Sequence, residues 1–538
     1  MGWVASLSVL SFLLLAGCDG GTRQAPPVAR TPGTPAYGDA LIVGSIGEPS
    51  TLLPLLASDS PSHEVAGHIY NGLVRYDKNL NLEGELAESW DVSPDGLTII
   101  FHLRKGVKWH DGQPFTSRDV LNTYRVTIDP KTPTAYADAF KQVKRADAPD
   151  SQTFRVTYAR PFAPALESWG MAILPAHLLE GKEITTSDLA RHPVGTGPYR
   201  FREWVAGQKL VLESNHDYYE GRPYIDRYVY RIIPDNSTMY MELKAGTLDM
   251  MGLSPVQYQR QTSNRKFSER FNKYRYPASA FTYIGYNLRH PLFSDRRVRQ
   301  ALTSAINKEE IIQGVLLGMG QVARGPYKPG TWAYNPRIKD YNYDPDRAKR
   351  LLDEAGWKET GTDGILMKDG KPFSFTILTN QGNAERLKTA QIIQRRLKKI
   401  GIDVKIRVIE WAALLSQFID KGNFEALIMG WTIGQDPDIY DVWHSSKTGP
   451  KELNFVGFKN GEVDRFLEEG RSTFDLEMRK RCYYKIQEIL AEEQPYTFLY
   501  VPDALPVVNA RFRGIEPAPA GISYNLIRWF VPKGEQVN

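Results

Sequence analysis

The sequence predicts an α/β fold, and three observations support this class. Residues 372–431 carry the pattern strand, helix, strand, helix and strand in that order. From Asp295 onward, helical segments alternate with strand-like segments, and residues 69–115 and 196–234 have the composition of strands. A chain in which strands alternate with helices is expected to build a sheet that helices cover.

The first predicted elements are strands. Residues 41–46 form a short apolar run, which predicts a buried strand where folded structure begins near Ala40. Farther along the chain, Asp95-Gly96 separates one run that ends at Val92 from another that begins at Leu97. Because Asp-Gly between apolar runs is a strong hairpin signal, a β-hairpin is expected there.

Two of the later helices are predicted from the residues that can cap them. Asp295 can cap a helix whose apolar face carries Val298 and Leu302. Asp344 can cap a second helix, with Pro345 in its first turn. Proline is tolerated there because the first turn of a helix leaves its N–H groups without partners in any case.

The strongest pattern lies between Pro372 and Trp431. Alternation predicts strands at 373–377 and 402–408, and apolar residues three and four apart predict a helix at 384–400. A further helix at 412–420 and a third strand at 424–429 are expected to continue the unit. Right-handed crossovers would make these strands parallel, and ligands bind beyond the carboxyl ends of such strands. Trp411 follows the second strand and Trp431 follows the third, so both are candidates to line one cleft.

Composition and charge exclude several classes of protein. The chain has 538 residues, of which 42% are hydrophobic and 24% charged, so an intrinsically disordered chain is excluded. The net charge of +5 is small for this length and gives no basic stripe, so no nucleic-acid partner is expected. The two cysteines, Cys18 and Cys482, are too few for a disulfide scaffold.

The N-terminal residues predict export and membrane anchoring. Residues 1–17 carry no charge, and their apolar run at 7–16 is too short to span a bilayer. The run ends in Leu-Ala-Gly before Cys18, which resembles the signal of bacterial lipoproteins, although the usual basic residues before the run are absent. In that class the cysteine thiol is acylated and becomes the first mature residue. Residues 18–37 hold four prolines and predict an extended tether; the alternative is a buried N-terminal helix with an incidental cysteine.

Sequence motifs of enzymes are missing. His63 and His68 are five residues apart, whereas the two histidines of a zinc-protease helix lie four apart so that they meet one metal ion. The sequence has neither a glycine-rich phosphate loop nor a G-x-S-x-G nucleophile motif. We therefore expect no catalytic residue, metal site or cofactor, and a large exported chain with a cleft is expected to bind rather than to react.

Seven short segments in a fixed order are the most specific feature of the chain. They are 69–77 (IYNGLVRYD), 86–90 (LAESW), 101–112 (FHLRKGVKWHDG), 193–199 (PVGTGPY), 295–302 (DRRVRQAL), 351–357 (LLDEAGW), and the pair GW at 430–431 with DP at 436–437. With these segments the chain resembles the extracytoplasmic solute-binding proteins of ABC importers, in family 5, which includes dipeptide- and oligopeptide-binding proteins.

The resemblance implies a two-lobed fold like that of periplasmic binding proteins, in which two hinge strands join the lobes and an extra subdomain is inserted. Lobe one is expected at 38–57, 175–280 and 500–538, the inserted subdomain at 58–174, and lobe two at 281–499. The crossing strands would be 279–287 and 496–501. A ligand is expected to close the lobes because it prefers the closed state.

The resemblance also implies where the ligand lies. The implied ligand-binding positions are Trp411, Gly430, Trp431, Asp436, Tyr283, Tyr136, Ser58 and Ser60. Peptide-binding relatives hold the α-ammonium group with an aspartate three residues before the acid of the Asp-Pro pair, but Ile433 stands there in this chain. A buried ammonium group without a counter-charge costs several kcal/mol, so Asp436 is the candidate replacement.

The implied function is that of a monomeric, membrane-anchored receptor outside the cytoplasm. It would bind a small solute, foremost a short peptide, and deliver it to the permease and ATPase subunits of an importer. Other members of the class bind oligosaccharides, nickel chelates, heme or opines, so a non-peptide solute stays open. A receptor that reports its ligand to a sensor partner is a further alternative, and an enzyme is the third.

Overall fold

The computed structural model of the protein describes residues 33–537. The predicted signal segment 1–17, the predicted acylation site Cys18 and most of the predicted tether lie outside the described residues. Within the described part, no helix combines the length and apolar character that crossing a bilayer requires.

The first of two large sheets has seven strands and contains the start of the described chain. In spatial order its strands are Phe271–Lys273, Pro506–Asn509, Met250–Gly252, Ala40–Ser45, Arg227–Ile232, Lys209–Ser214 and Tyr199–Val205. Ala40–Ser45 runs parallel to Arg227–Ile232, with Ala40 opposite Arg227. The strand predicted at 41–46 is confirmed, one residue earlier along the chain.

The second large sheet is mixed and contains the predicted strand–helix unit. In spatial order its strands are Tyr276–Pro277, Tyr496–Ala504, Ala280–Tyr286, Ala426–Thr432, Ser374–Asn380 and Asp403–Ile409, and Gly320–Val322 pairs with Tyr496–Ala504. The last three strands of the main series are parallel, as predicted. Ala280–Tyr286 runs antiparallel to both of its neighbours, which the local sequence pattern does not reveal.

Two details of this unit differ from the prediction. The predicted strand at 424–429 is Ala426–Thr432, because its pairing with Ala280–Tyr286 continues through Thr432. Gly430 and Trp431 therefore lie within the strand and not after it. The predicted helix at 412–420 is a short α-helical turn, Trp411–Ala413, followed by the π-helix Leu414–Ile419.

A third sheet of four antiparallel strands contains the predicted hairpin. Its strands, in spatial order, are Ala87–Val92, Thr98–Leu103, Thr153–Tyr158 and Val143–Asp150. The first two strands form the hairpin predicted around Asp95-Gly96. Smaller sheets consist of Val74–Tyr76 with Leu82–Gly84, and of Glu359–Thr360, Leu366–Lys368 and Lys371–Pro372.

Helices cover the faces of the sheets, and the predicted caps are confirmed. Asp295 accepts a hydrogen bond from the backbone N–H of Arg297, and Asp344 accepts one from Arg347. The α-helices are Ser60–Ile69, Ser117–Ile128, Ala165–Ser168, Ala176–Leu179, Asn236–Ala245, Arg265–Arg270, Pro291–Ser294, Arg296–Ala305, Lys308–Gly314, Pro345–Glu354, Ala384–Lys398, Trp411–Ala413, Tyr440–Trp443, Gly461–Arg471 and Leu476–Glu493. A second π-helix is Gln257–Gln261.

The chain passes between the two large sheets twice. Tyr274 and Arg275 connect Phe271–Lys273 of the first sheet to Tyr276–Pro277 of the second, and Leu505 alone separates Tyr496–Ala504 from Pro506–Asn509. The fold is thus α/β with two lobes that two hinge strands join. The residue boundaries of the lobes and of the inserted subdomain stay predictions.

The segment 193–199 holds the helix Ser60–Ile69 in place, and glycine is required there. The backbone N–H of Gly197 donates to the carbonyl oxygen of Ile69 at 2.8 Å, and a Cβ at Gly195 would overlap that same oxygen. We expect Gly195→Ala to lower the free energy of unfolding by about 1–3 kcal/mol, because backbone would have to move. Denaturant unfolding measures this loss.

Gly67→Ala is the matched control for this prediction. Gly67 lies in the same helix, and no atom would come within 4 Å of an added Cβ. Alanine is favoured over glycine inside a helix by about 1 kcal/mol, so this variant is expected to be as stable as the wild type or more stable. Equal losses in both variants would contradict the steric argument.

Candidate functional site

A cavity of about 1070 Å³, part of which is open to solvent, lies between the lobes. Its walls combine the start of the helix Ser60–Ile69, the loop around Tyr136, and the strands at the centre of the second sheet. The structure brings together, in its lining, every predicted ligand-binding position except Asp436: Ser58, Ser60, Tyr136, Tyr283, Trp411, Gly430 and Trp431.

Trp431 is held in a defined orientation on the second-lobe side of the cavity. Its indole Nε1 donates to the hydroxyl of Tyr496 at 3.2 Å, and its ring stacks on Phe455 with centroids 5.7 Å apart. Tyr496 in turn stacks on Tyr283 at 3.9 Å. These contacts support an aromatic surface that a ligand can pack against without reordering the side chains.

Gly430 brings the backbone itself to the cavity wall. A Cβ at this position would lie 2.9 Å from the carbonyl oxygen of Phe281 and 3.1 Å from Nη2 of Arg386. Both neighbours are packed closely enough that only glycine fits without a shift. Gly430 also lines the cavity, and because glycine has no side chain, backbone atoms form the wall there, as main-chain recognition of a ligand requires.

Trp411 stands where the two lobes meet. A Cβ at Gly47, just after the first strand of lobe one, would lie 3.6 Å from Cδ1 of Trp411. Within the described part of the chain, the buried Nε1 of Trp411 has no hydrogen-bond partner. The ring therefore contributes an apolar face to the cavity and one donor that is not yet used.

The opposite wall carries polar groups that are neutral. The hydroxyl of Tyr136 donates to the carbonyl oxygen of Ala57 at 2.7 Å and lies 3.1 Å from Nε2 of His63. Burial raises the pKa of Tyr136 above its ordinary value and lowers the pKa of His63, so both side chains are uncharged at neutral pH. Tyr136 and His63 therefore offer hydrogen bonds without a net charge.

Asp436 does not line this cavity. Both of its carboxylate oxygens accept from Nη2 of Arg479, at 2.7 and 2.8 Å. Together with Ile433 it borders a neighbouring chamber of about 660 Å³, which shares Trp431 with the main cavity. The structure thus places Asp436 in an ion pair within lobe two, and its assignment to the ligand stays a prediction.

Contacts across the cleft hold the four-stranded sheet region against lobe two. Asp138 forms an ion pair with Lys447, whose side chain is only 3% exposed. The backbone N–H of Ala163 donates to the carbonyl oxygen of Arg471 at 2.8 Å. Because these groups come from opposite sides of the cavity, the structure has the four-stranded sheet region and lobe two in contact beside it.

The prediction from sequence missed several wall residues, of which His63, Asp420 and Phe455 are examples. His63 was considered only as a metal ligand, and nothing in the local pattern around Asp420 or Phe455 indicates a cavity. In the described part of the chain, no three His, Cys, Asp or Glu side chains are arranged to hold a metal ion. The arrangement is suited to holding a ligand through aromatic faces, backbone and neutral hydrogen bonds.

The chain resembles known proteins in both sequence and structure. It matches the family model "Bacterial extracellular solute-binding proteins, family 5 Middle" over residues 81–452. It is 37% identical, over 545 residues, to the oligopeptide-binding protein AppA of Bacillus subtilis (strain 168), and the match covers 98% of each chain.

Two solved structures are similar over most of both chains. The AppA structure from Bacillus subtilis in complex with a nonapeptide has a TM-score of 0.88 at 36% identity and covers 93% of this chain and 100% of that one. NikZ from Campylobacter jejuni in complex with Ni(L-His) has a TM-score of 0.84 at 30% identity, with 91% and 99% covered. These similarities confirm the resemblance inferred from the seven segments, and the chain belongs to the bacterial extracellular solute-binding proteins of family 5.

Proposed function

We propose that the protein is the extracytoplasmic binding subunit of an ABC importer and that it takes up a short peptide between its lobes. The observation that carries the proposal is the cavity itself, where Gly430 exposes backbone beside the oriented ring of Trp431. Main-chain contacts suit a ligand whose side chains vary, because every peptide offers the same backbone groups. AppA, the relative described with a nonapeptide, supports the same ligand class.

The size of the cleft supports a ligand of several residues. A second cavity of about 850 Å³ shares Ser60, Gly430 and Trp431 with the main cavity. Arg386 lines this second cavity, and its Nη1 donates to the side-chain oxygen of Asn380 at 2.8 Å. An extended ligand can therefore pass Trp431 and continue into the neighbouring space.

Native mass spectrometry tests this proposal. The chain starting at Asp19 is purified without denaturation, and the small molecules that leave it are identified. A series of peptide masses is the expected result. A single non-peptide mass would contradict the peptide proposal, and sustained turnover of the bound molecule by the pure protein would indicate an enzyme instead.

A nickel chelate is the second candidate ligand. Ile433 stands where peptide-binding relatives have an aspartate, and NikZ, described with Ni(L-His), is similar over most of the chain. A metal complex in the mass spectrum, with no peptide masses, would favour this candidate. If the protein neither carries nor binds peptide, the importer that it supplies would transport a metal chelate and not peptides.

We also propose that a lipid on Cys18 anchors the mature chain to a membrane, outside the cytoplasm, as a monomer beside its permease. The basis is the apolar run that ends in Leu-Ala-Gly before Cys18. Cys18→Ser removes the thiol that would be acylated, so the variant is expected to move from the membrane to the soluble fraction. Fractionation followed by immunoblotting measures this, and a variant that stays with the membrane would contradict the anchor.

A further inference from the structure

The proposed ligand, a peptide, brings an ammonium group for which the expected acid is missing. Ile433 occupies the position where an aspartate would stand, and Asp436 is already paired with Arg479. A buried ammonium group needs a counter-charge or a set of acceptors, because desolvation otherwise costs more than the contact returns. A carboxylate on the cavity wall that has no close partner among residues 33–537 is the group that would supply this charge.

Most acids in or near the cavity have partners. The carboxylate of Asp59 caps the helix Ser60–Ile69: it accepts from the backbone N–H of Ser62 at 2.9 Å and from its hydroxyl at 2.8 Å. Glu452 lies 3.1 Å from Nζ of Lys447. Asp441 borders the neighbouring chamber and lies 3.5 Å from the same ammonium group.

Asp420 differs from these acids. It lines the main cavity just after the π-helix Leu414–Ile419, on the same wall as Trp411. Among residues 33–537, no cationic nitrogen lies within 4.0 Å of its carboxylate and no hydrogen bond to the carboxylate is formed. Lys451 also lines the cavity, but it stays outside that distance. Burial raises the pKa of Asp420, as expected for a carboxylate without a close counter-charge.

We propose that Asp420 is the acceptor of the ligand's ammonium group and takes over the role of the aspartate that is missing at Ile433. This inference rests on the proposed function, since it assigns a specificity residue to the same cavity. Its carboxylate, which Lys451 attracts only from beyond 4.0 Å, gains a close ion pair when a ligand with an ammonium group binds, and it lacks one when the ligand has no ammonium group. The ammonium group can be the α-amino group of a peptide or the side chain of a lysine.

Three pools of random tetrapeptides built from Ala, Ser, Leu and Tyr test the proposal. The first pool has free amino termini, the second is N-acetylated, and the third is N-acetylated with one lysine per peptide. Retention of each pool by the purified protein is measured by native mass spectrometry. We expect the wild type to prefer the free-amino or the lysine pool over the second pool at least tenfold, and the preferred pool identifies the source of the ammonium group.

Asp420→Asn is the decisive variant, and Asp441→Asn is its matched control. Asp420→Asn should remove the tenfold preference, whereas Asp441→Asn should keep it. Asp420→Ser is a second substitution at the same position. Thermal unfolding of all variants separates a binding defect from a folding defect. Unchanged preference in both Asp420 variants, or loss only in Asp441→Asn, would overturn the inference while peptide binding stands. A wild type that retains no pool would instead overturn the proposed function, and this inference with it.

Discussion

Arg511→Met is expected to lower the free energy of unfolding by about 3–5 kcal/mol, because it leaves two buried carboxylates without their cation. Nε of Arg511 lies 3.1 Å from Oδ2 of Asp39, and Nη2 lies 3.0 Å from Oδ2 of Asp249. The side chain of Asp39 is 0% exposed and that of Asp249 is 1% exposed. Denaturant unfolding of both proteins at neutral pH measures the loss.

This ion-paired group connects the centre of the first sheet. Asp39 precedes the strand Ala40–Ser45, Asp249 precedes Met250–Gly252, and Arg511 follows Pro506–Asn509, which are neighbouring strands. Arg511 lies in the short C-terminal part of the chain that returns from the second sheet to the first. Loss of this cation is therefore expected to affect the lobe as a unit and not only one loop.

The effect of Arg511→Met should depend on pH. Burial raises the pKa of Asp249 from 3.8 to about 6 even with the guanidinium beside it. Because the pKa of Asp249 is higher in the folded protein than in the unfolded chain, folding takes up a proton. The free energy of unfolding therefore falls as the pH rises between these two pKa values. Without the cation the folded pKa rises further, so the loss should be larger at pH 7.5 than at pH 5.

Arg265→Met is the control for this prediction. Arg265 pairs with Glu269 on the surface, and its side chain is 92% exposed. Exposed ion pairs contribute little to stability because solvent screens them, so this variant should unfold as the wild type does. An Arg511→Met variant as stable as Arg265→Met would show that the two aspartates do not depend on the guanidinium.

The strand–helix unit at 372–431 could be predicted because its information is local. The strands Ser374–Asn380 and Asp403–Ile409 and the helix Ala384–Lys398 each carry a periodic apolar face, so their neighbours in sequence determine them. The extension of the third strand through Gly430 and Trp431 could not be predicted in this way. It depends on pairing with Ala280–Tyr286, which is some 150 residues away in sequence, as the register Thr282 with Gly430 shows.

The residues of the site also differ in whether local sequence could predict them. Trp411 and Trp431 could be proposed from their positions at strand ends, and Tyr136, Ser58 and Ser60 could be proposed only from the family resemblance. Asp420 belongs to neither group, because what distinguishes it is that its carboxylate has no close partner among residues 33–537. A free carboxylate is a property of the whole arrangement around it, and no spacing in the sequence reports it.

Trp431→Ala is expected to weaken ligand binding by about 1–3 kcal/mol, roughly fivefold to hundredfold. Trp431 and Thr432 line the main cavity, the second cavity and the chamber beside Asp436, and Trp431 contributes the aromatic ring that these three spaces share. Its loss removes a preoriented aromatic contact wherever along the cleft the ligand lies. Affinity is measured by calorimetry with the ligand that native mass spectrometry identifies.

Two further variants decide what Trp431 contributes. Trp431→Phe keeps an aromatic face but loses the Nε1 donor to Tyr496, so it should retain most of the affinity if packing dominates. Trp90→Ala removes a half-buried tryptophan from the four-stranded sheet, away from the cavity, and should leave binding unchanged. Full affinity in Trp431→Ala would remove Trp431 from the site. A loss in Trp431→Phe as large as in Trp431→Ala would instead assign its role to the hydrogen bond that holds Tyr496 against Tyr283.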